Sequence, residues 1–556
     1  MNDFLWWRDG VIYQIYPRSF ADSNGDGVGD LAGIISRLDY LADLGIDAIW
    51  LSPFYPTPDK DFGYDISNYV DVDPRFGTLA DFDQLVAEAH RRGIRLILDL
   101  VLNHTSDQHS WFLESRSSRN NPKRDWYIWR DQPNNWQASF GGQAWEYDPV
   151  TGQYYLHLFT KEQPDVNWRN PEVRKAQLEV FRFWMERGVD GFRLDVFNAY
   201  FKHPGLPDNP PKFGLRGFDR QRHIYDIDQP EMNPFLNEMR LLLDSYPERY
   251  AVGETYFATP QKTVSYCGPD KLHAAFSFDF TSMDLIYPWN PQWVMEQVIK
   301  REETFNAAGV WPTTVMSNHD LPRAASRYAK GENDSQPFLA MTLLLTLRGT
   351  PFMYYGEEIG LRDIHLRRSE ILDPPGKKYW PIYKGRDGCR SPMQWNDSTF
   401  AGFSTAKPWL PVHPNYIRRN VTSQQADPDS LFHFTKKLLA LRKEIPALCR
   451  GDFIPLETPR GVLAYLRQTE GQSVLVALNF GGRNVKLTLP DGDWRMLLTT
   501  AKGSPGTLAP FEIQMFIFPD CIFPPNRGMG VRKRASPACE PLSSPQLLRR
   551  TPVYYK

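Results

Sequence analysis

"LADFDQLVAEAHRRG", Leu79 to Gly93, runs directly into "IRLILDLVLNH", Ile94 to His104. In the first stretch Leu79, Phe82, Leu85, Val86 and Ala89 recur every three or four positions, the period of a helix with one buried face. Gly93 then interrupts the pattern. The second stretch is a nearly continuous apolar run of strand length, as expected of a parallel strand covered on both faces. A helix, a glycine turn and a buried strand make up the repeating unit of an α/β fold.

The alternation extends outward on both sides. "GVIYQIY", the helix "IISRLDYLADLG" and the strand "IDAIWLSP" come before it. After it, "EVRKAQLEVFRFWMERG" leads to "VDGFRLDVF", and the helix around "PFLNEMRLLLDSY" leads to "RYAVGETY". "AAFSFDF", "TTVMSNHD" and "TPFMYYGEE" follow, with the helices "PQWVMEQVIKREETF" and "FLAMTLLLTLRG" between them. Eight such strands predict an α/β fold of the (β/α)₈ TIM barrel type over residues 1–103 and 168–450. Residues 104–167, rich in Trp, Asn, Asp and Gly, are too long for an ordinary βα loop and predict a small inserted domain after strand 3, overhanging the strand ends. From Gly451 short alternating runs, "GVLAYLRQ", "SVLVALNF", "NVKLTLP" and "EIQMFIF", predict a C-terminal antiparallel β-domain over 451–519. Residues 520–556, rich in Pro, Ser and Arg without a hydrophobic period, read as a disordered tail.

Composition narrows the function. The chain has 556 residues, 64 of them basic and 66 acidic, a balance that argues against nucleic acid or an anionic membrane as main partner. No stretch approaches 18 continuous apolar residues. The start, "MNDFLWWRDG", lacks the basic and apolar regions of a signal peptide. Five cysteines without a repeating spacing suggest reduced thiols and a cytoplasmic location. No CxxC pair or HExxH helix points to zinc, and no motif points to an organic cofactor. Oligomeric state is not legible.

In a barrel of this kind the chemistry sits at the C-terminal ends of the strands. Asp195 follows "GFRL", Glu254 follows "AVG", Asp320 follows "SNH", His104 closes the third strand, and Arg193 shares the face of Asp195. Three acids at strand ends, without a glycine loop for phosphate, fit glycosidic bond cleavage, which needs one protonated acid and one ionised carboxylate. Arg193 is expected to keep Asp195 ionised, and partial burial to hold Glu254 protonated as a general acid.

A second motif, "DSNGDGVGD" from Asp22 to Asp30, spaces oxygen-bearing side chains between glycines as a loop around a hard cation does. An EF-hand is excluded: counting from Asp22, the twelfth residue is Gly33 where a bidentate glutamate is required, and a strand rather than a helix precedes. A cation-binding loop and a solvated Asp/Gly turn both remain open.

"DLVLNH", "GFRLDVF", "VGET" and "SNHD" resemble, in order and spacing, the signature regions of the α-amylase family, glycoside hydrolase family 13. "QPDVN" (Gln163 to Asn167), "GYDISNY" and "GCRSPMQW" are similar to its oligo-1,6-glucosidase and α-glucosidase branch, over roughly residues 5 to 520. The resemblance implies an exo-acting enzyme that releases α-glucose from short α-glucosides. Asp195 would be the nucleophile forming a β-glucosyl-enzyme, Glu254 the acid/base, and Asp320 the grip on the sugar's 2- and 3-hydroxyls. Asp65, His104, Arg193, His319 and Arg390 would line the glucose pocket. It also implies one structural Ca2+ (or Mg2+), held by Asp22, Asn24, Asp26, Asp30 and the Val28 carbonyl. Val196, next to the nucleophile, goes in this branch with acceptance of α-1,6 linkages. Sucrose isomerases and trehalose synthases share these residues, but the Arg-rich segment typical of sucrose isomerases is replaced here by "LPRAASRYAK". The family's non-catalytic transporter partners carry a membrane helix and lack the acids.

Overall fold

In a computed structural model, residues 4–278, 289–329 and 334–518 are described. The expected tail, with Cys521 and Cys539, lies outside them. The opening stretch folds for local reasons. Thr78 Oγ1 accepts from the Asp81 N–H, and the Asp81 carboxylate accepts from the Thr78 N–H at 2.8 Å, a reciprocal cap on the helix Leu79–Arg91. Phe82, Leu85, Val86 and Ala89 form its buried face. Gly93, at φ +73°, turns the chain into the strand Arg95–Leu100.

Eight parallel strands make the barrel: Ile12–Ile15, Ala48–Leu51, Arg95–Leu100, Gly191–Leu194, Tyr250–Gly253, Ala274–Ala275, Thr313–Val315 and Thr350–Tyr354. The eighth pairs with the first, Phe352 opposite Ile12. The sixth is shorter than "AAFSFDF" suggested. Across to the seventh, the Thr313 hydroxyl takes the place of a backbone ladder, donating to the Ala275 carbonyl at 3.3 Å and accepting from the Ser277 N–H at 3.1 Å. Alternation along the strands sorts the side chains. Ile12, Ala48, Trp50, Ile97, Val252, Val315 and Phe352 pack together in the interior, while Tyr13, Ile49, Leu98, Phe192 and Leu194 join the larger core shared with the helices. Truncating one such buried aromatic, Phe82 for example, would cost about 3–5 kcal/mol.

Between the third strand and the helix Pro171–Glu186 the chain makes a long excursion. It carries the helix Ser110–Ser117 and a three-stranded antiparallel sheet with Gln153–Leu156 between Trp129–Arg130 and Trp145–Asp148. Its base is fastened by a buried ion pair, Lys202 to Asp165 at 2.6 Å, with Lys202 Nζ also donating to Asn103 Oδ1 at 2.8 Å. After Gly451 five antiparallel strands form a sheet with Gln472–Asn479 at its centre. Buried Arg467 ties this sheet to the barrel helix Ser335–Thr346, donating to the Thr346 carbonyl at 2.6 Å. Among the described residues no helix is long and apolar enough to cross a membrane.

Candidate active site

The alternation that fills the barrel with Ile97 also points Asp99 inward two residues later. Gly191, Arg193 and Asp195 follow the same face of the fourth strand. Arg193 is sealed in the barrel mouth, its guanidinium 5.2 Å from the Trp50 ring. Its Nη1 donates to Asp99 Oδ1 and to Asp195 Oδ1, both at 2.7 Å, and its Nη2 donates to Glu254. One guanidinium thus gathers acids from strands three, four and five. Exposure separates their parts: the side chains of Asp99 and Arg193 keep 0% of their surface, whereas Asp195 keeps 9%, Glu254 15% and Asp320 28%. Of these five, only the last three present surface at the barrel mouth.

Asp195 was expected to stay ionised because Arg193 is adjacent. In the structure burial outweighs that charge and pushes Asp195 up to about 7, with Arg193 lowering it and Asp99 and Asp320 raising it further. Burial pushes Glu254 higher, to about 8; Arg193 opposes the rise, and the neighbouring Asp195 charge and hydrogen bond add to it. The two titrate as a pair, and Asp195 is the first to release its proton. Asp320 behaves oppositely. Burial opposes its ionisation, yet the Arg386 and Arg390 guanidiniums hold it well below the usual carboxylate range.

His104 lies four residues beyond the end of the third strand rather than closing it, in an isolated bridge with Asp165. Its Nε2 faces the Tyr64 carbonyl at 3.0 Å and its ring lies 5.1 Å from Phe159, so it backs the site without touching the three acids. His319 is neutral, since burial takes it down to about 3. Gln14 Nε2 donates to its Nδ1 at 2.7 Å, which leaves Nε2 to face the Tyr64 hydroxyl at 2.5 Å and Asp320 Oδ2 at 3.3 Å. Arg390 donates to Asp320 Oδ1 at 2.9 Å and to the His319 carbonyl at 2.7 Å from a fully buried position, and so sets Asp320 from behind.

Asp65 is not brought into this group. Its carboxylate accepts from the N–H groups of Lys60 at 2.8 Å and Asp61 at 2.9 Å and closes its own loop. Asp61 occupies the place instead: Arg386 Nη2 donates to Asp61 Oδ1 at 2.5 Å while its Nη1 donates to Asp320 Oδ1 at 3.2 Å. Gln163 Nε2 also donates to Asp61, at 3.2 Å. Asp61, Tyr64, Asp99, Gln163 and Arg386 are the site residues missed in the sequence. A lone acid in the apolar run "LILDLV" was the signal for Asp99.

Val196 follows Asp195 in the left-handed region, φ 35° and ψ 39°, strained for a β-branched residue. It is 6% exposed and packs with Phe159 of the inserted segment and with Tyr256. The wall beside Asp195 is therefore built jointly by the barrel and the insertion.

The loop Asp22–Asp30 presents only oxygen donors at the expected positions. Its carboxylates are taken up by nearby donors: Asp22 accepts from the N–H groups of Gly25 at 2.7 Å and Gly27 at 2.8 Å, and Asp30 from those of Ser23 at 2.9 Å and Gly33 at 2.6 Å. Gly27, at φ +92°, has no room for a Cβ, which would lie 2.3 Å from the Lys407 carbonyl oxygen. No ion pair among the described residues neutralises Asp22, Asp26 or Asp30, so the donor chemistry fits a hard cation. No three His, Cys, Asp or Glu side chains among the described residues converge as a metal cluster, so a cation here would also need Asn24 and the Val28 carbonyl.

A family profile for the α-amylase catalytic domain matches residues 14–451, and one for the C-terminal domain of the α-amylase SusG matches 462–505. A probable α-glucosidase of Rhizobium meliloti (strain 1021) is 47% identical over 508 residues, covering 87% of this chain and 91% of its own. An oligo-1,6-glucosidase of Parageobacillus thermoglucosidasius is 43% identical over 523 residues, covering 88% and 92%. Among solved structures, an α-glucosyl transfer enzyme superposes with a TM-score of 0.87 at 43% identity, covering 93% of this chain and 100% of that one. A trehalulose synthase variant superposes with a TM-score of 0.86 at 36% identity, covering 92% and 100%.

Proposed function

This chain belongs to the α-amylase family, glycoside hydrolase family 13, in its oligo-1,6-glucosidase and α-glucosidase branch, and from that premise we propose that this glycoside hydrolase is a retaining α-glucosidase acting at the non-reducing ends of short α-glucosides. The observation that carries the reading is the single guanidinium of Arg193 shared by Asp195 and Glu254. Glu254 also lies within hydrogen-bonding reach of Asp195, which supports the retaining spacing of about 5–5.5 Å over the roughly 6.5–9.5 Å that an inverting mechanism needs for its water.

In the reaction, Asp195 attacks the anomeric carbon as Glu254 passes its proton to the leaving oxygen. A β-glucosyl ester on Asp195 results. Glu254, now ionised, takes a proton from the incoming water, which releases α-glucose and frees Asp195. Asp320, kept ionised by Arg386 and Arg390, accepts hydrogen bonds from the sugar hydroxyls, and Asp61 does so beside it. The insertion's Phe159, packed on His104 and with Val196, closes one side of the site and supports attack at chain ends. The loop Asp22–Asp30 would hold a Ca2+ or Mg2+ ion that stabilises the fold apart from the catalytic carboxyls. Buried free thiols at Cys267, Cys389 and Cys449 support a cytoplasmic setting.

The likeness to a trehalulose synthase and to an α-glucosyl transfer enzyme at 43% identity keeps glucosyl transfer as a second reading, but the curated relatives at 47% and 43% identity carry glucosidase names. Sucrose, maltose, isomaltose and trehalose, incubated with the enzyme and with Asp195→Asn, test both readings. Free glucose from maltose or isomaltose, abolished in the variant while its melting curve is kept, is expected. Isomerised disaccharide from sucrose with little glucose would replace hydrolysis by the second reading.

A further inference from the structure

Gln14 is a buried amide to which the double displacement assigns no part. It stands on the first strand, Ile12–Ile15, two residues after the interior Ile12, so the pleat points it into the barrel opposite Trp50. An amide in such a place is costly unless its N–H groups find acceptors. They do. Gln14 Nε2 donates to Ser52 Oγ at 3.1 Å and to His319 Nδ1 at 2.7 Å.

The imidazole plane is held by its neighbours. It lies nearly parallel to the Tyr64 ring at 5.3 Å and the Tyr16 ring at 5.9 Å, with Trp50 edge-on at 6.0 Å. Burial takes His319 down to about 3; Asp320 opposes the fall, and Arg390, Arg193 and Arg386 add to it. A neutral imidazole that accepts at Nδ1 must carry its proton on Nε2. That nitrogen faces Asp320 Oδ2 at 3.3 Å and the Tyr64 hydroxyl at 2.5 Å. The hydroxyl accepts from it and donates in turn to Asp99 Oδ2 at 3.0 Å, and Asp99 accepts from Arg193. A chain of donors with one direction thus runs from Gln14 to the guanidinium shared by Asp195 and Glu254.

We propose that Gln14 is a positioning residue for glycoside cleavage, its amide locking His319 as a neutral Nε2–H donor toward the glucose gripped by Asp320. A sugar hydroxyl both donates and accepts, so Asp320 takes its proton while the His319 N–H meets a lone pair. In the other tautomer Nε2 and Asp320 would both present lone pairs to the sugar. The Tyr64 hydroxyl would then turn to His319, and Asp99, which burial pushes up to about 6, would lose one of the donors that oppose the rise. The assignment rests on the α-glucosidase reading.

The test is the pH profile of p-nitrophenyl α-glucoside hydrolysis by Gln14→Met and Gln14→Glu beside the parent. Gln14→Met fills the space without an N–H and should lower kcat/KM by about 10- to 100-fold at every pH. Gln14→Glu keeps the amide's shape. At the acid end its carboxyl and the imidazole share one added proton, and whichever of them holds it, Nε2 keeps its N–H. Loss of that proton leaves a carboxylate that accepts from Nδ1 and leaves Nε2 bare. The ratio of Gln14→Glu to parent kcat/KM should therefore lie within about threefold of unity at the acid end and fall by about tenfold or more as pH rises. Melting curves report folding, and Gln14→Glu alone decides if Gln14→Met does not fold. A ratio that is constant with pH would overturn the proposal, because a packing role does not titrate; so would a Gln14→Met enzyme as active as the parent. A parent that releases no p-nitrophenol would overturn the α-glucosidase reading and this assignment together, whereas the variant ratios bear on the assignment alone.

Discussion

Replacing Arg193 with methionine tests the electrostatic core of the site. Arg193 lies within hydrogen-bonding distance of Asp99, Asp195 and Glu254 and has no exposed surface. Removing one partner of a buried ionic group costs about 3–5 kcal/mol. Spread over three carboxylates this is about 1–2 kcal/mol each, or about one pKa unit at 1.36 kcal/mol per unit. Activity requires Asp195 ionised and Glu254 protonated, so kcat/KM should be bell-shaped, with limbs near the values of about 7 and about 8 to which burial raises the two groups. In Arg193→Met the whole bell should move up by about one unit, and at pH 7 the ionised fraction of Asp195 should fall from about one half to about one tenth. Stability should follow in sign. These carboxyls hold their protons more tightly folded than unfolded, so their contribution is complete below the unfolded value of about 4 and fades as pH rises through 7 to 8. The variant should therefore lose more melting temperature at pH 8 than at pH 6. The assay is the pH profile of p-nitrophenyl α-glucoside hydrolysis beside melting curves. A uniformly lowered bell with unmoved limbs would refute the reasoning and leave Arg193 a packing role.

Asp61→Asn should lower kcat/KM by about 10- to 100-fold through lost sugar contacts and the broken Arg386 pair, whereas Asp65→Asn should act mainly on the melting temperature, because its bonds are to its own loop. Kinetics on maltose for the two variants distinguish them, and the reverse pattern would restore Asp65 to the pocket. Chelation with EDTA should lower the melting temperature by several degrees and leave kcat at low temperature unchanged, since an ion bound only by the folded state stabilises by mass action; an unchanged melting curve would make Asp22–Asp30 an ordinary turn. Val196→Thr keeps the side chain's shape and puts a hydroxyl into the wall shared with Phe159 and Tyr256. It should shift the isomaltose-to-maltose ratio of kcat/KM toward maltose by about tenfold, and an unchanged ratio would reduce Val196 to packing.

The barrel was legible because its evidence is periodic. The faces of Leu79–Arg91 and Pro171–Glu186 and the buried strands between them obey spacing rules that do not depend on distant contacts. Asp195 and Glu254 were legible for the same reason, each following its strand by one residue. Residues beyond the strands were harder. Asp61 and Asp65 are four apart in one loop, and only its folded path, closed by Asp65 on two N–H groups, turns Asp61 toward Arg386. Arg386 and Arg390 stand in the same relation around the turn Asp387–Arg390, and both reach Asp320. Arg193 lowers Asp195 as its place in the sequence suggests, but the opposing desolvation, which pushes Asp195 up to about 7, depends on what the whole barrel places around the group. The left-handed bend at Val196 has no local sequence signal at all.

The most direct test of the central claim is the anomer of the first glucose released, followed by proton NMR during the first minutes of maltose or isomaltose hydrolysis, before mutarotation. Double displacement on Asp195 with Glu254 as acid and base requires α-glucose first, with β-glucose growing in only at the rate of mutarotation. β-Glucose appearing first would mean a single displacement by water and would contradict the account.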